Sequence, residues 1–272
     1  MVKLKFSVLM SLYIKEMPSN LERCLESLMQ QTLIADEVVI VYDGSITKEL
    51  DDIVNKYIDL LNIIKVKIPI NVGLGNALNE GIKYCNYNII ARMDTDDACV
   101  PTRFMLQIPE FQDGSLTLLG GAIREINESG DIRIKSLPVK QKDIVDFSLL
   151  KNPFNHMTVV FRKDKVVSVG GYQHHLYMED YNLWLRLLGE GCKVRNLSDI
   201  VVDASVNDST MKRRRGIDYI KSELKLFKIK NEIKLYPLYK ILSSLIIRVV
   251  VRVFPIGILK ILYVLDRKKT NE

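Results

Sequence analysis

Cysteine is sparse in this sequence and never paired: Cys24, Cys85, Cys99 and Cys192 stand far apart, with no Cys-x-x-Cys spacing. That excludes a thiolate zinc site and a disulfide framework, and it suits reduced, cytosolic thiols. A clean membrane span is missing too. The apolar stretch from Ile241 to Leu265 contains Arg248, Arg252 and Lys260 and is interrupted by Pro255 and Gly257, residues that are costly at a bilayer centre or inside a helix. No leader is legible either. Phe6 to Ile14 superficially mimics a signal peptide, but Lys15-Glu16 follows at once and no small-residue cleavage site does, so the run reads as a buried first strand. Charge of one sign is not in large excess: 39 Lys and Arg face 33 Asp and Glu. The distribution is uneven, however, because residues 211–272 hold 16 basic and 5 acidic residues. These basic residues alternate with aliphatics instead of lining a polar stripe, which argues against a nucleic-acid partner. With 47% hydrophobic and 26% charged residues, disorder and collagen-like repeats are excluded and a sizeable core is available.

What is present is an alternation of strands and helices. Phe6 to Leu12 is an apolar run, followed by Ser19-Asn20-Leu21-Glu22, a capping-box pattern ahead of Leu21, Cys24, Leu25 and Leu28 at helical spacing. Glu37 to Tyr42 predicts a second strand and Leu50, Ile53, Val54, Tyr57 and Ile58 a second helix. Ile63 to Ile68 predicts a third strand, Leu74 to Cys85 a helix, and Asn88 to Met93 a fourth strand. Such alternation implies an α/β fold with a mostly parallel central sheet. Farther on, strands are expected at Leu116–Ile126 and Met157–Phe161 and a helix from Glu179 to Leu188, a mixed second half. One main domain over 1–215 and a basic, amphipathic helical tail over 216–272 are expected. The tail either lies on an anionic membrane surface or packs on the domain.

Ligands of parallel sheets bind beyond the carboxyl ends of the strands, which singles out Tyr13 to Glu16, Asp43-Gly44-Ser45 and Asp94-Thr95-Asp96-Asp97. Three carboxylates in four residues repel one another, and a hard cation such as Mg²⁺ or Mn²⁺ relieves that. Asp43 either accepts from a nucleobase or ribose or belongs to a common Asp-Gly turn. Asn71-Val72-Gly73-Leu74-Gly75 offers helix-start amides to a phosphate without the full spacing of a dinucleotide motif. Glu179 and Asp180 open a helix, where the dipole favours acids whatever their role, and where Asp180 can serve as a general base. Lys212-Arg213-Arg214-Arg215 is a solvated or membrane-facing run that is also able to clamp a diphosphate.

Together these elements resemble glycosyltransferase family 2, the inverting enzymes with the nucleotide-sugar-binding GT-A fold. The resemblance rests on Ser7 to Tyr13, Glu37 to Ser45, Asn71 to Gly81, Ala91 to Asp97, Asn155 to Thr158, Gly170-Gly171-Tyr172 and Glu179 to Arg186, in that order. It implies that Tyr13, Glu16, Asp43, Asn71, Gly73 and Arg92 contact the donor, with Asp43 on uracil. Asp94 falls at the ribose or the metal, Asp96 on the metal, and Asp97 in support; Asp180, with Glu179 beside it, meets the acceptor hydroxyl, and Arg213 or Arg214 the leaving diphosphate. Asn76 stands where many relatives carry lysine or arginine, and Ser11-Leu12 where the first-strand loop usually has proline. The implied reaction moves glucose or galactose from a UDP-sugar, with Mn²⁺ or Mg²⁺, to a sugar on undecaprenyl diphosphate, forming a β1,3 linkage to GalNAc or GlcNAc. The implied setting is assembly of O-antigen or other surface polysaccharide, with the enzyme peripheral on the cytoplasmic face of the inner membrane. Two other readings compete with this one. A sugar nucleotidyltransferase wants a glycine- and arginine-rich loop where Met10-Ser11-Leu12-Tyr13 stands, and a non-catalytic nucleotide-sugar-binding membrane protein has no need of Asp94, Asp96 and Asp180 together.

Overall fold

The structure is a computed structural model and describes residues 4–127, 130–206 and 217–253. Four parallel strands, β1 (Phe6–Leu12), β2 (Glu37–Asp43), β3 (Ile63–Ile68) and β4 (Ile89–Arg92), lie in the order β3-β2-β1-β4. Helices α1 (Pro18–Met29), α2 (Lys48–Lys56) and α3 (Leu74–Tyr84) connect them. The expected β-α alternation is therefore observed. The period of two sends Phe6, Val8, Met10 and Leu12 to one face, against Leu21, Cys24, Leu25 and Leu28 of α1. Leu9 faces the other side, against Ala77, Leu78 and Ile82 of α3.

Beyond β4 the sheet continues through β8 (Val160–Arg162), β6 (Leu116–Asn127), β9 (Lys193–Val206) and β5 (Ala98–Cys99), while β7 (Ile132–Lys135) pairs with β6. Here antiparallel pairs join β4 to β8, β8 to β6 and β5 to β9, and only β6–β9 is parallel. The parallel character is thus concentrated in the first half. Helices α4 (Arg103–Gln107), α5 (Gln141–Ser148), α6 (Lys163–Ser168) and α7 (Glu179–Gly189) complete this part.

Two expectations need correction. The strand expected over Met157–Phe161 begins as a 3-10 turn, His156–Thr158, and only Val160–Arg162 pairs. The Ser19-x-x-Glu22 capping box is not used. Pro18, with its preset φ and no N–H to satisfy, opens α1 instead, and Met17 takes the cap position with no side-chain cap.

α3 presses on the sheet at Gly81, where a Cβ would sit 2.5 Å from Leu9 Cδ1 and 2.6 Å from Val41 Cγ2. Gly81→Ala is expected to cost about 1–3 kcal/mol of stability by overpacking. A urea midpoint unchanged by the substitution would show that the two side chains simply move aside.

The C-terminal helices α8 (Ile217–Glu232) and α9 (Leu238–Val253) follow. Tyr219, Leu226 and Ile229 of α8 pack on Met178, Tyr181 and Leu185 at α7, so this part of the tail is fastened to the domain. α9 leaves Tyr239, Leu242, Ile246 and Val250 exposed at helical spacing. Among the described residues, no helix is long and apolar enough to cross a membrane.

Candidate active site

β1 and β4 are parallel neighbours, so the chain leaves both at the same edge of the sheet. The loop after β1 brings Glu16, and the loop after β4 brings Asp94 to Asp97. Glu16 Oε2 accepts from Thr95 Oγ1, and Glu16 Oε1 accepts from the Met17 N–H at 2.8 Å and from Asn20 Nδ2 at 3.2 Å. Glu16 thereby stitches the two loops together. Tyr13 lies exposed on the same first loop, its carbonyl accepting from the Glu16 N–H at 2.9 Å.

Asp94, Asp96 and Asp97 converge, with a carboxylate oxygen from each lying within 4.8 Å of the others. Arg92, 1% exposed, gives its two Nη groups to the two carboxylate oxygens of Asp94. Its carbonyl accepts from Arg103 Nη2 at 2.7 Å, and Cys24 Sγ donates to the Asp94 carbonyl at 3.3 Å. Asp97 is 2% exposed; its Oδ1 accepts from the Ser205 N–H at 2.9 Å and its Oδ2 has no partner. Burial and then the charges of Asp94 and Asp96 hold the Asp97 carboxyl well above the usual carboxylate range. Asp96 reaches solvent, yet lost solvation first, then Asp94 and Glu16, push it up to about 6. One arginine does not balance this charge. An all-oxygen donor set with a buried orphan oxygen fits a hard divalent cation such as Mg²⁺ or Mn²⁺.

Asp43, at the end of β2, accepts at 2.7 Å from the Val72 N–H, at 3.1 Å from the Gly73 N–H and at 2.9 Å from Asn71 Nδ2. The residues singled out at two separate strand ends are thus one unit, and in this structure the amides expected for a phosphate are given to Asp43. Gly44 is required here: its φ is +87°, and a Cβ would meet the Asn71 nitrogen at 2.9 Å.

Asp180, in the first turn of α7, accepts from Asn152 Nδ2 at 2.6 Å and from the Tyr181 N–H at 2.7 Å. Desolvation raises its pKa, and the Tyr181 N–H, Asn152 and the positive charge of Arg92 oppose that rise. Arg92 also lowers the pKa of His156, after burial, and acts on Tyr172. His156 Nε2 and the Tyr172 hydroxyl lie 2.9 Å apart. The charge of Arg92, paired with Asp94, thus also bears on Asp180, His156 and Tyr172. Glu179 is held against α3, its Cγ 3.3 Å from where a Cβ on Gly75 would stand, and desolvation raises its pKa. Arg213 and Arg214 lie outside the described residues.

The sequence reading missed the residues that hold these groups in place. Asn79 accepts from the Tyr172 N–H at 2.8 Å and donates to the Tyr172 carbonyl at 2.6 Å, fixing the Gly170-Gly171-Tyr172 turn on α3. Arg186 Nη2 donates to the Gly171 carbonyl at 2.5 Å. Asn152 carried a faint signal, since Asn-Pro initiates turns; Asn79 and Arg103 carried none.

The family model described as "Glycosyl transferase family 2" matches residues 7–171. The amylovoran biosynthesis glycosyltransferase AmsE of Erwinia amylovora is 48% identical over 97% of this chain and 99% of its own. The UDP-Gal:alpha-D-GlcNAc-diphosphoundecaprenol beta-1,3-galactosyltransferase of Escherichia coli is 38% identical over 81% of each chain. Among solved structures, S. aureus TarS 1-349 in complex with UDP-GlcNAc superposes with a TM-score of 0.71 at 20% identity, covering 90% of this chain and 72% of that one. At that identity the likeness concerns the fold, which is the expected GT-A type.

Proposed function

From the premise that this chain belongs to glycosyl transferase family 2, we propose that it is an inverting, cation-dependent hexosyltransferase of bacterial surface-polysaccharide assembly. The donor is UDP-glucose or UDP-galactose, and the acceptor is a GalNAc or GlcNAc unit on undecaprenyl diphosphate. The second of the two sequence relatives supports this donor and acceptor class by its name. The observation that carries the reading is the convergence of Asp94, Asp96 and Asp97 beside Arg92, with a buried oxygen of Asp97 left unpaired.

Asp180 takes the proton of the acceptor hydroxyl, and the freed oxygen attacks the anomeric carbon. The bond from that carbon to the diphosphate breaks on the opposite face, so an α-linked donor gives a β-linked product and UDP departs. Asn152 and the Tyr181 N–H orient the Asp180 carboxylate for this. Asp96 and the orphan oxygen of Asp97 would hold a divalent cation, with Asp94 shared with Arg92. When bound, such a cation neutralises charge on the leaving diphosphate. Asp43 and its bound loop Asn71–Gly73 form the floor assigned to the uracil end, and Arg213 or Arg214 is assigned to the diphosphate.

The test is transfer from a panel of UDP-, GDP- and dTDP-sugars to synthetic GalNAc- and GlcNAc-diphosphate lipids, with Mn²⁺, Mg²⁺ or EDTA. Cation-dependent release of UDP, with a β-anomeric, 3-linked product by NMR, is the expected result. An α-anomeric product would overturn inversion, and release of inorganic pyrophosphate would instead support a nucleotidyltransferase.

The exposed apolar face of α9, with Lys234 and Lys240 exposed near its start, is assigned to the cytoplasmic face of the inner membrane. Leu242→Glu with Ile246→Glu is expected to weaken partitioning onto anionic vesicles about tenfold or more. Equal sedimentation of the double variant and the wild type would end this assignment.

A further inference from the structure

The last two helices among the described residues hold basic residues that point the wrong way for an anchor. Lys230 of α8 is 1% exposed and its Nζ donates to the Leu149 carbonyl at 2.6 Å. Arg248 of α9 turns inward as well: Nη1 donates to the Leu150 carbonyl, and Nη2 reaches Glu223 Oε1 at 3.0 Å. Glu223 is itself 1% exposed. The preceding carbonyl, that of Ser148 at the end of α5, accepts from the Tyr181 hydroxyl. Three successive carbonyls are therefore satisfied by three different helices: α7, α8 and α9. Tyr181 lies beneath both cations, with Lys230 Nζ and the Arg248 guanidinium each 5.4 Å from its ring centre. Tyr236, between α8 and α9, donates to the Val145 carbonyl at 2.9 Å and adds a fourth tie to α5.

Two residues past Leu150 stands Asn152, whose Nδ2 holds Asp180 at 2.6 Å. The loop that the C-terminal helices fasten is thus the loop that orients the carboxylate. A carbonyl at the end of a helix needs a donor, and water would serve if the site were open. Burying an amine and a guanidinium to do the same work costs several kcal/mol, and apolar side chains of similar volume would pack the tail at least as stably. Adhesion alone does not call for this arrangement. Fixing a register does: donors of set length on set carbonyls allow one placement of residues 148–152 and no neighbouring one. Burial pushes Lys230 down to about 7, and its Nζ donates in either protonation state.

We propose that α8 and α9 complete the active site from outside it: Lys230 and Arg248 are positioning residues that lock the 149–152 loop and, through Asn152, aim Asp180 at the acceptor hydroxyl. This rests on the reading of Asp180 as the general base. The donor-side groups Glu16, Asp43, Asp94 and Asp96 come from other elements, so the effect is confined to the acceptor-side chemistry.

The experiment is a double-mutant cycle in the full-length protein with Lys230→Met and Asn152→Ala, reading kcat, the KM for the UDP-sugar and folding by circular dichroism. A displaced catalytic group costs up to about a hundredfold, so each single variant is expected to lose about 10–100-fold in kcat with the donor KM held within about twofold. The double variant is expected to be no slower than Asn152→Ala alone, because both changes act on one hydrogen bond. Losses that multiply, an unchanged kcat in Lys230→Met, or a donor KM that rises in step would each overturn the proposal. Arg248→Gln, which touches the neighbouring carbonyl, takes the place of Lys230→Met if the latter does not fold. Failure of both to fold would also overturn it, since the contacts would then hold the fold and not the base. Asp180→Asn measured alongside separates the two claims: wild-type turnover there would refute the base itself, whereas a dead Asp180→Asn beside a normal Lys230→Met refutes only the positioning role.

Discussion

Asp180→Asn is expected to lower kcat for sugar transfer by about 10²- to 10⁴-fold, the range general-base catalysis supplies, while UDP binding stays near that of the wild type. The amide keeps the shape of the carboxylate but cannot accept the proton of the attacking hydroxyl. It also offers one acceptor where Asp180 gives two, to Asn152 Nδ2 and the Tyr181 N–H, so a loss of about 1 kcal/mol in stability should accompany it. The pH dependence is the sharper readout. Desolvation raises Asp180, opposed by the Tyr181 N–H, Asn152 and Arg92, while Glu179 precedes it on the helix and Tyr172 lies within its field. The base works only when unprotonated, so kcat should fall as pH drops through a value above the ordinary aspartate pKa of about 3.9. At saturating cation, which keeps Asp96 ionised, that acid limb should vanish in Asp180→Asn from whatever activity remains. A profile that keeps both its height and its acid limb would assign the base elsewhere.

The first half of the fold was legible because β1, β2 and β4 are buried almost throughout and read as short apolar runs, while the edge strand β3 keeps Ile63, Ile64, Val66 and Ile68 between its lysines. β9 was not legible: Lys193-Val194-Arg195-Asn196-Leu197-Ser198-Asp199 interrupts every alternation. The strand tolerates this through a bulged pairing with β6 and through Asn196, whose Nδ2 is satisfied by the Pro138 and Pro153 carbonyls at 2.8 and 3.0 Å. The candidate site was legible where chemistry is concentrated in sequence, as in Asp94 to Asp97. Its supports were not, because Asn79 meets Tyr172 across 93 residues and Arg248 meets Leu150 across 98. No local pattern encodes such pairs. The same reason hid the inward turn of Lys230 and Arg248, which composition alone counts as part of a basic, surface-seeking tail. The capping-box pattern at Ser19 shows the converse error, a correct motif displaced by the stronger start that Pro18 provides.

Asp96→Asn is expected to reduce transfer by about 10²- to 10³-fold, comparable to losing a principal electrostatic stabiliser of the leaving charge, and to abolish stabilisation by Mn²⁺ or Mg²⁺. The three carboxylates do not share the work equally. Both oxygens of Asp94 are committed to Arg92, and one oxygen of Asp97 to the Ser205 N–H. Asp96 is the most exposed of the three, on the side where a cation and the donor diphosphate would arrive together. Without a cation, burial first and then the neighbouring carboxylates hold the Asp96 and Asp97 carboxyls up. A cation bound only by the folded state adds about 2.7 kcal/mol at a hundredfold excess over its Kd, a thermal shift that scanning calorimetry resolves. Asp97→Asn supplies the contrast: it removes a buried charge with an orphan oxygen while keeping an acceptor for Ser205. That variant should be more stable than wild type without cation, since an unpaired buried charge is costly, yet gain less when cation is added. Asp96→Asn likewise removes a carboxylate that lost solvation, Asp94 and Glu16 disfavour, so its cation-free stability near neutral pH should not fall while its cation response is lost. Wild-type cation response in Asp96→Asn would move the binding role to Asp94 and Asp97 and require Arg92 to release its partner.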